Sequence, residues 1–272
     1  MIKEGFRFYK PCERLRPYVR YYWVFGSRRL LNTFTFPVGC PQIIFHKRSP
    51  LYVPELDVMQ SRLTVSGQVD FSSHLCADGD VEMIVAVFRP HAMKAFLNMP
   101  ISLFYNREVS GYDIEHKSLA DLASRIFECA DNDSCIRLIE EWLMARIAGC
   151  ASTDVYNAER VGAAVCRICS AEQASVAELA AVACLGKRQF ERLFNWHVGM
   201  NPKEYMSIVR FQKALRQMQL HSAEICYAQI ACASGYADQS HMIREFRRLC
   251  GHTPVSLLKE TNPYSDLFAD PV

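Results

Sequence analysis

No stretch of the 272 residues approaches the ~20 consecutive apolar residues that a membrane-spanning helix needs. The longest apolar run, Val81 to Phe88, carries Glu82 and suits a strand. The first residues, MIKEGFRFYKPCERL, contain neither an apolar core segment nor a small-residue cleavage site, so no secretory signal is expected and the chain is placed in the cytoplasm, off the membrane. Gly/Ser-rich and Pro-rich tracts are missing, and with 50% hydrophobic and 22% charged residues a packed chain of about two domains is expected. Three catalytic signatures are also missing: a Gly-rich phosphate loop, a G-x-S-x-G elbow and an H-E-x-x-H helix. The carboxylate pair Glu140-Glu141 reads as a solvated helix face. The chain is therefore not expected to be an enzyme, and no cofactor is implied.

Cysteine, by contrast, is plentiful. The twelve cysteines follow no regular framework and no export signal accompanies them, which points to reduced thiols, many of them buried as small apolar groups. Cys166 and Cys169 form a C-x-x-C pair, but a metal or redox reading needs a second pair or a thioredoxin-like setting. On a helix the two share a face, and they are expected in the core. Cys40, His46, His74, Cys76 and His91 are the residue types of a metal cluster, yet their spacing is not diagnostic and no metal site is assigned.

The net charge of +2 hides an uneven distribution. Residues 155–262 carry 13 Lys and Arg against 9 Asp and Glu, whereas residues 1–154 carry 18 of each and the tail adds only Asp266 and Asp270. A basic C-terminal region fits a nucleic-acid partner without proving one.

The chain divides into two patterns. Its first ~100 residues read as short strands bounded by turn residues: Tyr18 to Phe25, Thr33 to Phe36, Gln42 to Phe45, Leu63 to Val65 and Val81 to Phe88. Their spacing suggests a small barrel or sandwich. The aromatic segment Tyr18 to Phe25 is read as core in preference to a ligand cage. Helical spacing follows, at His91 to Asn98, from Ser118 to Phe127, and over Asp133 to Ile147. Gly149 to Asp154 is a candidate linker, after which helix is expected throughout. The predicted class is α+β: a β-rich regulatory or dimerisation domain at 1–150 and an all-α domain at 155–262.

An internal repeat organises the second half. Leu179-Ala180 matches Ile230-Ala231, and Arg192, Phe194, Gly199 and Pro202 match Arg244, Phe246, Gly251 and Pro254, each 52 positions later. Each copy has the logic of a helix-turn-helix unit. In the first, Ser175-Val176-Ala177-Glu178 is a capping box, Leu179 and Val182 are expected inward, and Leu185-Gly186 forms the turn. The next helix buries Phe190, Leu193 and Phe194 and turns Lys187, Arg188, Glu191 and Arg192 outward, with Gln189 beside them. In the second copy Gly235-Tyr236 forms the turn, and Met242, Phe246 and Leu249 face inward. Gln239, Ser240, His241 and Arg244 face out, side chains suited to base edges, and Arg247 and Arg248 follow as phosphate contacts. Glu191 and Glu245 are expected to oppose the phosphates. For a single helix a solvated polar face would be the better reading; two matched copies favour DNA.

These residues resemble the AraC/XylS family, whose C-terminal domain holds two helix-turn-helix units joined by a long helix. The resemblance rests most on Ile230-Ala231, Gly235-Tyr236, Asp238-Gln239-Ser240-His241, Arg244, Phe246-Arg247, Gly251 and Thr253-Pro254, and extends over roughly 160–260, with Arg210 and Ala214 on the joining helix. It implies a bacterial-type transcription regulator bound to double-stranded DNA. Candidate further partners are RNA polymerase, a small-molecule effector and a second copy of the chain. Three positions depart from the family pattern: Cys184 stands where Gly is usual, and Gly186 and Ala237 where a Ser is usual, with Asp238 able to cap in place of Ala237. The N-terminal half is similar to a domain of some relatives through Pro17-Tyr18-Val19, Tyr22-Trp23, Pro37, Gly39, Gly67-Gln68 and Phe88-Arg89-Pro90. Other relatives join this module to a cysteine-based domain that repairs alkylated DNA. A thiol- or metal-dependent enzyme or sensor carried to DNA is therefore the alternative, although the dense cysteine zinc site of those relatives is not visible here.

Overall fold

The computed structural model describes residues 5–114, 117–170, 174–220 and 226–260. Asp266 and Asp270 lie outside the described residues. The strands are β1 (Gly5–Tyr9), β2 (Val19–Ser27), β3 (Leu31–Thr35), β4 (Gln42–His46), β5 (Tyr52–Val53), β6 (Val58–Met59), β7 (Leu63–Ser66), β8 (Ser73–Ala77), β9 (Val81–Phe88) and β10 (Glu108–Ser110). They form a six-stranded sheet in the order β1-β2-β9-β4-β7-β10 and a four-stranded sheet in the order β3-β8-β5-β6. The helices are α1 (Met93–Leu97), α2 (Lys117–Glu128), α3 (Asn132–Ala148), α4 (Ser152–Ser170), α5 (Val176–Val182), α6 (Lys187–Val198), α7 (Pro202–Leu220), α8 (Tyr227–Ala233), α9 (Gln239–Cys250) and α10 (Pro254–Glu260). The architecture is α+β, with the β-rich part first.

The strands at the middle of the larger sheet carry apolar residues towards both faces because both faces are covered. Successive side chains on a strand point to opposite faces. Tyr22 and Val24 of β2, Ile43 and Phe45 of β4, and Ile84, Ala86 and Phe88 of β9 therefore join one core with α1, α2 and α3. Tyr21, Trp23 and Phe25 of β2, Ile44 of β4, and Met83, Val85 and Val87 of β9 join another, against Leu31 and Leu75 of the smaller sheet. The aromatic segment is core, as its pattern indicates. Antiparallel pairing of Tyr22 with Ala86 and Trp23 with Val85 fixes the register, and a one-residue slip would exchange the two faces.

The expected linker at Gly149 to Asp154 is only half a linker. α4 begins at Ser152, so Ser152-Thr153-Asp154 are its first turn. Asp154 is anchored by the Lys94 ammonium at 2.7 Å. Further along α4, Gly162 lies under the His91 ring, where a Cβ would come within 2.8 Å of Nε2. Small polar residues look like a linker in sequence, but they are also the residues that open helices.

Helices α4 to α10 share one core, built around α7. Phe211 of α7 is fully buried, 4.7 Å from the Phe246 ring and 6.0 Å from Phe36. Phe36 comes from the β-rich part, so the two parts meet in a shared apolar contact. Two polar contacts accompany it: Gln212 Nε2 donates to the Pro37 carbonyl at 2.7 Å, and the Ser72 amide donates to the Leu249 carbonyl at 2.7 Å. Gly39, at φ +68°, allows this approach, since a Cβ there would lie 3.2 Å from the Tyr205 ring.

The cysteine expectation needs correction. All twelve are free thiols, but only Cys40, Cys135 and Cys250 are buried, and Cys12, Cys166, Cys169, Cys184, Cys226 and Cys232 are exposed. Cys166 and Cys169 share a face as expected, but that face of α4 lines a surface cleft; Val161, Ala164, Val165 and Ile168 take the core side. Among the described residues no helix is long and apolar enough to cross a membrane.

Candidate nucleic-acid interface

The first module consists of α5 and α6. Ser175 caps α5 by accepting from the Glu178 amide at 3.2 Å, while the Glu178 carboxylate accepts from the Ser175 amide at 2.7 Å. Leu179 is buried, but Val182, expected inward, is 42% exposed. α5 spans two turns only and its last residue has already left the core side. The turn closes through the Leu185 amide on the Ala180 carbonyl at 2.9 Å. Cys184 takes the left-handed conformation there, φ +51°. Arg160 of α4 donates to the Ala183 carbonyl at 2.7 Å and to that of Cys184, satisfying the end of α5.

The second module, α8 and α9, repeats that geometry. The Tyr236 amide donates to the Ala231 carbonyl at 2.9 Å, and Gly235 holds the left-handed position at φ +86°. Asp238 caps α9, its carboxylate accepting from the His241 amide at 2.6 Å. α6 has no such cap, because Gly186 occupies the equivalent place.

The predicted outward residues sit where the helical period put them. On α6, Lys187, Arg188, Gln189 and Arg192 are exposed and Glu191 is half-buried, opposite Phe190, Leu193, Phe194, His197 and Val198. On α9, Gln239, Ser240, Arg244 and Arg247 are exposed, opposite Met242, Phe246, Leu249 and Cys250. Two helices of twelve residues thus turn polar, largely cationic faces away from one common core.

Three side chains of α9 are engaged within the protein. His241 is half-buried, edge-on to the Tyr236 ring at 5.3 Å. Arg248 donates to Ser207 Oγ at 2.7 Å and lies 3.6 Å from the Asp70 carboxylate of the β-rich part. Glu245 does not face solvent to oppose phosphates. The Arg210 guanidinium of α7 forks onto both its oxygens, at 2.9 and 3.1 Å, and buries most of the pair. Sequence reading placed Arg210 on the joining helix but missed its role as the clamp between that helix and α9.

The candidate metal residues are not brought together. Among the described residues no group of three or more His, Cys, Asp or Glu is placed to hold a metal ion. His46 Nε2 pairs with Gln60 Oε1 at 2.8 Å, and burial lowers its pKa to about 4 against the opposing hydrogen bond. His74 Nδ1 pairs with Glu55 Oε1 at 2.7 Å, Cys40 accepts from Arg20 at 3.5 Å, and His91 stands over α4. Gln60 also reaches Glu108, which burial raises to about 7 although Ser66 and Gln60 both donate to it. Glu108 and Gln60 line a cavity of about 80 Å³ between the sheets, with Trp23, Ile44 and Gln68. A larger cleft of about 840 Å³ runs between the two parts of the chain, lined by Arg16, Arg20, Arg89, Cys166, Cys169 and Tyr205.

Two domain families match the sequence: a helix-turn-helix domain over residues 179–260 and a domain of unknown function, DUF6597, over residues 7–110. The probable transcriptional regulator LumQ of Photobacterium leiognathi is 35% identical over 80 residues, 29% of this chain and 32% of LumQ. The match therefore spans about a third of that relative's length. Among solved structures, the DNA-binding domain of AdpA in complex with a target DNA is 28% identical, with a TM-score of 0.32 over 37% of this chain and 87% of that one. ToxT from Vibrio cholerae O395 is 12% identical, with a TM-score of 0.44 over 99% of this chain and all of that one. The helix-turn-helix match covers the turns of both modules and the helix α7 that joins them, so this part of the chain is a tandem helix-turn-helix domain.

Proposed function

We propose that the chain is a sequence-specific transcription regulator that lays α6 and α9 into successive major grooves on one face of double-stranded DNA. The observation that carries this reading is the pairing itself: two matching modules built on one core, each turning a polar helix outward. Such docking asks for recognition helices about one helical turn of DNA apart, ~34 Å. α7, with 19 residues, is about 29 Å long at 1.5 Å per residue, a spacer of the right scale. Lys187, Arg188, Gln189, Glu191 and Arg192 form the first contact surface, and Gln239, Ser240, His241, Arg244, Arg247 and Arg248 the second. Residues 1–150 act as the regulatory unit, sensing a signal or joining a second copy, and 155–262 as the DNA-binding unit. The protein works in a bacterial cytoplasm with RNA polymerase as a partner, and performs no catalysis.

Arg192→Ala and Arg244→Ala should each weaken binding to the preferred duplex by about 1–3 kcal/mol and reduce its preference over random DNA, with the melting temperature unchanged. Arg247→Ala should weaken both duplexes alike and flatten the dependence of log K on log salt by about one unit from a slope of about −4 to −8. Arg248 is held by Ser207 and Asp70, which favours the shallow end of that range. Fluorescence anisotropy over a salt series with both duplexes makes the measurement; no salt dependence on random DNA would end the DNA reading. A thiol-responsive regulator is the second reading, favoured by exposed Cys166 and Cys169 in the cleft. A DNA affinity unchanged by reductant would dismiss it.

A further inference from the structure

The outward stripe of α6 continues past the residues that its charges single out. At 100° per residue, Arg188, Arg192 and position 196 follow one another along the helix in steps of about 40°, from the side opposite the buried face towards the flank beside Leu193. Position 196 is a tryptophan, 44% exposed. The equivalent place on α9 is Arg248, which is turned to Ser207 and Asp70 and so is partly spent on holding the protein together. The first module thus carries, one turn beyond its central arginine, a large apolar ring offered outward.

Scattered exposed apolar side chains are ordinary, so exposure alone says little. Position decides here. Trp196 lies about 60° round the helix from Leu193 and about 100° or more from Phe190, Phe194 and His197, so its ring stands beside the buried stripe rather than within it, and it shares its side with two guanidinium groups. That surface complements a polyanion with an apolar component, and the major groove supplies both, through phosphates at its walls and thymine methyl groups on its floor. The indole N–H can only donate, which suits a phosphate or carbonyl oxygen and no donor.

We propose that Trp196 is a DNA-contacting residue of the first module, one that favours a thymine methyl beside the base pair read by Arg192. This rests on the DNA-binding reading above. The other two tryptophans make the test direct: Trp23 is buried and Trp142 is half-buried, donating to Ser118 at 2.9 Å, so collisional quenching by acrylamide reports chiefly on Trp196. The probe is a duplex enriched from a random-sequence library by the full-length chain. Its addition should lower the acrylamide quenching constant of the wild-type protein and leave that of Trp196→Phe, with its two remaining tryptophans, unchanged. Trp196→Ala should weaken the enriched duplex about tenfold and random DNA much less. Replacing thymine by uracil, which lacks the methyl group, at the positions next to the Arg192 contact should reproduce part of that loss in the wild-type protein and none in Trp196→Ala. If anisotropy shows the duplex bound while Trp196 stays equally quenchable, the proposal falls and the DNA-binding reading stands. If no duplex is enriched or bound at any salt concentration, the underlying reading falls. Should Trp196→Ala fail to fold, protection of the wild-type tryptophan still decides.

Discussion

The two helix-turn-helix modules share a backbone and differ in how it is held. Both turns close with the same pair of main-chain bonds and both place one residue in the left-handed region. The second module uses residues suited to each place, with Gly235 at the turn and Asp238 as a side-chain cap. The first has Cys184 and Gly186 there, and its turn gains instead from outside, through Arg160 on the carbonyls of Ala183 and Cys184. The contacts with the β-rich part also differ in kind. The first module sets buried His197 near His91 and Lys94. The second uses a main-chain bond from Ser72, the Asp70–Arg248 pair, and His252 edge-on to Phe34 at 5.6 Å. One backbone motif therefore tolerates two quite different supports, provided that the turn geometry and the apolar helix face are kept.

The largest effect should come from removing what the modules share. Phe211→Ala opens a fully buried cavity between Phe246 and Phe36 and should cost about 3–5 kcal/mol in denaturant unfolding. A loss confined to the second module, with the first still protected in amide exchange, would show that the core is two cores.

Acid should then separate the modules. His197 sits where the second module has Leu249, and burial first, then the Lys94 charge, lowers its pKa to about 4, against the raising influence of His91 and Asp154. The unfolded chain binds its proton near pH 6.5 and the folded chain only near 4. Stability should therefore be whole above pH 6.5 and fall as pH drops towards 4, by on the order of 2–3 kcal/mol for this histidine. His91, lowered to about 4 chiefly by burial, adds a loss of the same sign. His197→Leu, which copies the second module, should make the acid limb of stability against pH shallower. An unchanged limb would assign that loss to other groups.

A smaller difference lies in the caps. Asp238→Ala should cost about 0.5–2 kcal/mol, whereas Gly186→Ser should add a few tenths to the first module, where a new Cβ meets nothing within 4 Å. Equal responses to Asp238→Ala and Gly186→Ala in thermal melts would mean that the Asp238 side chain caps no better than a glycine. Of similarly small size, Cys184→Gly relieves a left-handed side-chain-bearing residue and should stabilise by a few tenths of a kcal/mol, to about 1 at most, because the freedom that glycine gives the unfolded chain offsets the relief. A measured destabilisation would mean that the Cys184 side chain makes a favourable contact.

What could be read in the sequence followed period and pairing of like with like. β2, β4, β7 and β9 announced themselves by β-branched and aromatic runs, and α6 and α9 by apolar residues three and four apart. β5 and β6 are two residues each and β8 reads Ser-His-Leu-Cys-Ala, so neither length nor pattern marked them. Val182 was misjudged because α5 is too short to fix a face, and Ser152-Thr153-Asp154 because helix openers and linkers use the same residues. The contacts that tie α9 down left no trace at all. Arg210 and Glu245 are 35 positions apart, and nothing in either neighbourhood marks them as partners.

Phe36 has one more consequence, for anyone who would recombine such proteins. It follows a strand of the smaller sheet and is the buried contribution of the β-rich part to the helical core, with Phe34 and Tyr105 partly buried against it. A cut near residue 150 separates two stretches of chain cleanly but strands this ring on the wrong side, leaving an apolar socket against Phe211 open to water. A chimera that joins a foreign N-terminal domain to these modules must therefore supply its own plug for that socket. The transferable cassette is the helical region together with whatever residue fills the place of Phe36.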